Sequence, residues 1–341
     1  MPPDNDSTQT AAENAARPAS GKGKWANLSR ILKIALTLLI FGLVVRSVDL
    51  STAWDHVANQ NLPLVVLAAA VLMFQIGLGG TRWLIILRNL GAKPMPWETL
   101  KLFYVSVFFN SYVWGGISGD VVRAWLSYRS NISGKTAVTS VVLDRVAALA
   151  GVASLVLLTS PFFLYRVGAP TPLLVLIVVS VAGLAAILVA AQFERLPVRW
   201  LRFRALSLLH GLGGSVRQVF MKPASVLPIL GVAVLSQTAL GVATYILASS
   251  LGMTVTLLEC VVLMQPVALV ANLPISVGGW GVRETAMITL FGLIGVPASA
   301  TLVLSIQLGL LSLVVALPGG LLWLALKPKA PSLSVASSPG P

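Results

Sequence analysis

Two stretches decide the fold: Asn110-Ser111-Tyr112-Val113-Trp114-Gly115-Gly116-Ile117-Ser118-Gly119-Asp120-Val121-Val122-Arg123 and Asn272-Leu273-Pro274-Ile275-Ser276-Val277-Gly278-Gly279-Trp280-Gly281-Val282-Arg283-Glu284. Each is a glycine-rich, arginine-ended interruption of an apolar segment. Lipid offers no hydrogen bonds to freed backbone groups, so such breaks survive at membrane depth only inside protein or beside a water-filled cavity. Two breaks in two halves of one chain are where a transporter places its substrate.

The surrounding composition leaves little choice of class. Of 341 residues, 56% are hydrophobic and 10% charged, against roughly 25% charged in soluble domains, and the mean hydropathy is +0.88. Apolar runs recur at 31–48, 63–86, 136–163, 171–192, 224–250, 256–274 and 299–326. Shorter ones, 102–116 and 284–296, abut the breaks. A crossing needs about 20 apolar residues, so 102–116 is expected to dip in and return, and 284–296 to cross with the help of the broken turn before it. The expected fold is an all-α polytopic membrane protein of about eight transmembrane helices plus re-entrant or broken helices, with a two-fold pseudo-repeat. Residues 29–328 form its membrane domain, between polar tails at 1–28 and 329–341.

Most of the 24 lysines and arginines fall on one side of this layout. Arg17 to Lys33, Arg82 to Lys101, Arg123 to Lys135, Arg195 to Lys222, and Lys327 with Lys329 make that side cytoplasmic by the positive-inside rule. Both termini are then cytoplasmic, and the protein is a multi-pass component of the plasma (inner) membrane. The formal charge of +13 is therefore a topology signal, with no nucleic-acid partner implied. Arg195, Arg199 and Arg202, beside Trp200, Leu201, Leu208 and Leu209, suggest an interfacial helix pressed on anionic headgroups.

Cys260 is the only cysteine, and His56 and His210 lie far apart, so neither a disulfide nor a metal site is expected, and no cofactor motif is present. The intramembrane charges are more informative. Asp144 and Arg145 lie about eight residues into 136–163, roughly 12 Å deep at helical rise. Adjacent helical residues diverge by about 100° and cannot pair side by side. Each needs a partner on another helix; Arg123 suits Asp144, and Asp120 suits Arg145. Glu259, near the start of its span, is expected to reach the interface.

Gly119-Asp120-Val121-Val122-Arg123 aligns without gaps to Gly279-Trp280-Gly281-Val282-Arg283, sharing G-x-x-V-R. A glycine turn opening a helix presents free N–H groups to an anion, and an arginine fork matches phosphate oxygens. Gly115, Gly116, Gly119, Gly278, Gly279 and Gly281 with Arg123 and Arg283 form the expected phosphate-binding set. Asp120, Asp144, Arg145, Glu284, Asn110 and Asn272 are expected to organise the cavity, the asparagines by capping the breaks. No catalytic residue is assigned.

In these motifs, with Phe108-Phe109-Asn110, Val142-Leu143-Asp144-Arg145-Val146 and Leu273 to Glu284, the chain resembles the lysylphosphatidylglycerol synthase transmembrane-region family, the flippase-like proteins. The resemblance covers roughly residues 30 to 328. It implies a membrane module that moves or accommodates a phosphate-bearing lipid, anionic phospholipid or polyprenyl-phosphate-linked. In the synthases a soluble C-terminal domain transfers aminoacyl groups; this chain ends soon after Lys329, so that activity is not expected to be inherited. The favoured expectation is a non-enzymatic lipid translocase, with membrane lipids as partners, a separately encoded lipid-modifying transferase as a further one, and homo-oligomers allowed. The alternatives are a membrane enzyme in lipid-linked glycan or aminoacyl-lipid synthesis, using Asp120, Asp144 and Glu284, and a scaffold for a transferase.

Overall fold

The computed structural model describes residues 60–112, 118–168, 170–195, 204–271 and 280–326. These residues form ten α-helices: α1 (Leu62–Asn89), α2 (Pro96–Tyr112), α3 (Ser118–Arg129), α4 (Gly134–Val167), α5 (Pro170–Gln192), α6 (Arg204–Phe220), α7 (Pro223–Ser250), α8 (Leu257–Ala271), α9 (Val282–Gly292) and α10 (Ala298–Ala325). A short 3-10 turn, Phe193–Arg195, follows α5. Helices α1, α4, α5, α7 and α10 are long and apolar enough to cross a bilayer, so the chain is a polytopic all-α membrane protein. The expected span at 31–48 lies outside the described residues.

Local chemistry sets the helix ends. Proline stands in the first turn of α1 and of α7, where its missing N–H is no loss. Ser133 caps α4 by accepting the Thr136 N–H at 3.2 Å, and α4 stops at Gly168 with φ 65°, a left-handed cap that glycine adopts without strain. Arg88, Lys93, Arg129 and Lys135 gather where α1 and α3 end and α2 and α4 begin; we call this the basic face. At the opposite face the start of α1 is tied to the end of α7, Asn61 N–H donating to the Ser250 carbonyl at 3.0 Å.

The 17 residues of α2 and 12 of α3 cover about 25 and 18 Å at helical rise, short of the ~30 Å hydrocarbon core. They fold back on each other. The Gly119 N–H donates to Asn110 Oδ1 at 2.9 Å and the Ser118 hydroxyl to the Phe109 carbonyl at 2.8 Å. This is the re-entrant hairpin expected at 102–116, entered from the basic face.

The second interrupted region differs from expectation. With 15 and 11 residues, α8 and α9 reach only about 22 and 16 Å. Helix α8 leaves the opposite face against α7; a Cβ on Gly241 would lie 2.6 Å from Val261 Cα. Helix α9 returns beside the first half of α10, Arg283 meeting Ser305. Thus α8 and α9, within the runs expected to cross and return, are the arms of a second hairpin, inserted from the other side. Neither arm is long enough to reach the basic face.

Two units emerge, α1–α4 and α7–α10. Each has the order long helix, hairpin, long helix, and they enter the membrane from opposite faces. Helices α1 and α7, both 28 residues, form the most extensive helix pair, and each hairpin packs on the last helix of the other unit, α2 on α10 and α8 on α4. That is an inverted-topology repeat about an axis in the membrane plane. Helix α10 brings the hairpin tips together. Tyr112 donates to the Leu313 carbonyl at 2.9 Å and Tyr104 to that of Val315 at 3.0 Å. Arg283 meets the same helix at Ser305 and Gly309, about one 5.4 Å turn from Leu313.

The interfacial helix expected around Arg199 and Arg202 falls outside the described residues, and what is described of the middle region is α6. Val216, Val219 and Phe220 of α6 are buried in a cluster with Ile86, Leu143 and Ile229, and Arg217 pairs with Glu194 at 3.5 Å. The second half of α6 therefore docks on the bundle, because its apolar stripe finds protein partners. Trp200 and Leu201 lie outside the described residues as well. Replacing Gly241 with Val should force α7 and α8 apart, costing about 1–3 kcal/mol; a thermal melt in detergent should fall by several degrees, whereas Gly231→Val, at a glycine facing open space, should leave it nearly unchanged.

Candidate functional site

The first hairpin is held by charge. On α3, Asp120 and Arg123 stand one turn apart, and on α4 Asp144 and Arg145 diverge. Arg123 donates through Nη1 to Asp144 Oδ2 at 2.9 Å and through Nη2 to Asp120 Oδ1 at 3.3 Å. Arg145 Nε donates to Asp120 Oδ2 at 2.7 Å. Both pairings expected from sequence form. A fifth member was not expected: Arg82 of α1 donates from Nε to Asp144 Oδ1 at 2.8 Å. Arg82 lies within the run 63–86, and in sequence it is indistinguishable from the topology-setting charges that follow it.

Among the described residues, three guanidiniums face two carboxylates. Arg123 is 1% exposed, with its guanidinium carbon 4.8 Å from the Trp83 ring and 5.1 Å from that of Phe103. Trp83 is itself fixed by its indole N–H on the Ser140 hydroxyl at 3.1 Å. Arg123, expected to hold a lipid phosphate, is thus enclosed by two carboxylates and two rings and is closed to a headgroup in this conformation. It fastens α3 to α1 and α4.

Backbone closeness completes this hairpin. A Cβ on Gly119 would overlap the Ser106 carbonyl, and Asn110 caps the start of α3 through the bond already described. Gly115 and Gly116 lie outside the described residues, as do Asn272, Gly278 and Gly279.

The second hairpin is lighter. Gly281, at φ 83°, opens α9, a left-handed conformation suited to glycine. Its N–H donates to the buried Glu284 carboxylate. Arg283 Nη2 donates to Glu284 at 2.6 Å and its Nε to the Ser305 hydroxyl at 3.3 Å, while the Ser305 hydroxyl donates to Glu284 at 3.3 Å. The guanidinium lies 4.8 Å from the Trp280 ring, and a Cβ on Gly309 would stand 2.9 Å from Nη1. Arg283 keeps 15% of its side chain exposed. Among the described residues one carboxylate serves it, where Arg123 has two.

A cavity of about 1280 Å³ opens on the basic face between the ends of α1, α3 and α10 and the starts of α2 and α4. Lys93, Glu98 and Arg129 give it charge, and Trp83, Trp125 and Trp323 give it walls. Arg129 is steadied over the Trp125 ring at 4.8 Å. Because Trp83 lines the cavity and also stacks on Arg123, the charge network stands directly behind this wall. Glu259, expected to reach the interface, stands in the first turn of α8, where its side chain is covered by protein and paired with Arg166 of α4.

The description "Lysylphosphatidylglycerol synthase TM region" matches residues 30–320. The chain belongs to that family. The match contains both hairpins, all five members of the charge network and the cavity-lining residues up to α10, and membership ties the chain to membrane lipids. No curated protein matches it.

Removing one partner of a buried ion pair costs about 3–5 kcal/mol. Asp144→Asn should therefore abolish a monodisperse gel-filtration peak or lower the melting temperature sharply. Arg145→Gln should cost under about 1 kcal/mol and leave the peak intact, because the Arg145 side chain is 44% exposed.

Proposed function

We propose that the protein is a translocase carrying a phosphate-bearing lipid headgroup across the plasma (inner) membrane, with the basic face cytoplasmic. The observation that carries this reading is the meeting of two oppositely inserted hairpins on α10. The return arm of each begins at mid-membrane depth and bears an arginine. Half-helices whose N-termini point inward favour anionic substrate groups. An inverted repeat also offers two equivalent conformations, one open to each face.

In this reading the headgroup enters the basic-face cavity, where Lys93 and Arg129 meet the phosphate and the tryptophan walls cover the glycerol or polyprenyl stem. A cavity of this size accepts a headgroup with part of its chain; ligand pockets run to roughly 300–1,000 Å³. Arg283 is the next station. It is partly exposed and, among the described residues, paired with the single carboxylate of Glu284, so a phosphate can share or replace that carboxylate. Arg123 keeps the hairpin in place while the cargo passes. No nucleotide-binding P-loop motif occurs in the sequence, so the movement is downhill or coupled to another gradient or partner.

The test is a proteoliposome assay with fluorescent phosphatidylglycerol and an impermeant quencher. The wild type should expose inner-leaflet probe at least tenfold faster than empty vesicles. Arg283→Gln should remove most of that gain while shifting the melting temperature by no more than a few degrees. A wild type no faster than empty vesicles, or an Arg283→Gln variant as fast as wild type, contradicts the proposal.

A further inference from the structure

The outer ends of the two hairpins are built alike and stand in opposite states. Glu98 and Glu259 are each the third residue of their hairpin's first arm, in α2 and in α8. The Glu98 side chain is 51% exposed, lines the open cavity and pairs locally with Lys101 at 2.9 Å. The Glu259 side chain is 4% exposed. It accepts the Thr256 N–H at 2.7 Å and is bound by Arg166, the penultimate residue of α4. Where the basic face holds a cavity, the region behind Glu259 holds a packed cluster that includes Leu251, Val255, Cys260 and Phe291.

We infer that the Arg166–Glu259 pair is the gate that keeps the opposite-face half shut, and that it opens as the basic-face cavity closes. The inference rests on the alternating-access reading above and adds the residues that do the closing. Its physical basis is the burial of Glu259. A buried carboxylate is costly without its cation, so separating Arg166 from it requires water to enter beside α8. The half-exposed Arg166 side chain is the member of the pair already in contact with the surroundings. Arg166 and Glu259 are positioning residues; they join the end of α4 to the start of the second hairpin.

The chain's single cysteine is a built-in reporter. Cys260 follows Glu259 directly and is fully buried. An impermeant maleimide applied from the opposite face should label it slowly in the wild type and at least tenfold faster in R166Q or E259Q. The double reversal R166E with E259R should restore slow labelling. Local loosening alone would also speed labelling, so a second reading is needed from the other side. In a Cys260→Ala background, Ala92→Cys places a thiol in the basic-face cavity, and adding R166Q should slow its labelling from that face at least threefold. Unchanged Cys260 labelling, or faster Cys260 labelling with no fall at position 92, overturns the gate. Lipid transport with unchanged labelling would retire the gate and keep the translocase; reciprocal labelling without lipid transport would keep the gate and retire the lipid cargo.

Discussion

The carboxylate of Asp144, shared between Arg82 and Arg123 at 2.8 and 2.9 Å, is the contact on which the rest of the structure depends. Helix α3 is too short to cross the bilayer and starts at a break in the chain. Nothing in hydrocarbon would hold it at depth, and a lone arginine there costs about 2.5–3.5 kcal/mol on insertion scales. The two aspartates offset that cost, and the rings of Trp83 and Phe103 cover the guanidinium faces that water has left. With α3 fixed, α2 is placed against α10, and Trp83 becomes a wall of the basic-face cavity. Fold and candidate site thus share one set of side chains.

The same constraint is met differently in the second unit, and the difference gives the two arginines separate roles. Around Arg123 the acceptors converge from α3 and α4, with a competing cation from α1, so the group is rigid and closed. Around Arg283 the acceptors among the described residues are Glu284 on its own helix and one hydroxyl on α10. Gly309 leaves the space that the guanidinium fills. An inverted repeat with one fastened hairpin and one lightly held hairpin gives the second the greater freedom to respond to cargo.

Much of this was legible in the sequence because it followed from short-range chemistry. The shared G-x-x-V-R placed both arginines at breaks, and the divergence of adjacent helical residues predicted separate partners for Asp144 and Arg145. The direction of the second hairpin was not legible. Residues 256–274 read as one apolar run, and hydropathy does not distinguish a crossing from an arm that stops at depth. Arg82 was hidden by position, since a basic residue near the end of a span looks like a topology signal until an aspartate on another helix is seen beside it. The cavity joins Lys93, Arg129 and Trp323 from three distant segments, and no local pattern links them. Docking of α6 likewise depended on partners from α1, α4 and α7 that only the folded chain assembles.

The most direct measurement is the position of bound lipid phosphate in a cryo-electron microscopy map of the protein in nanodiscs containing phosphatidylglycerol. The account predicts headgroup density inside the basic-face cavity, within hydrogen-bonding reach of Lys93 or Arg129 and continuing toward Arg283. Ordered headgroups confined to the outer perimeter of the bundle, with that cavity and the surroundings of Arg283 free of lipid, would contradict it.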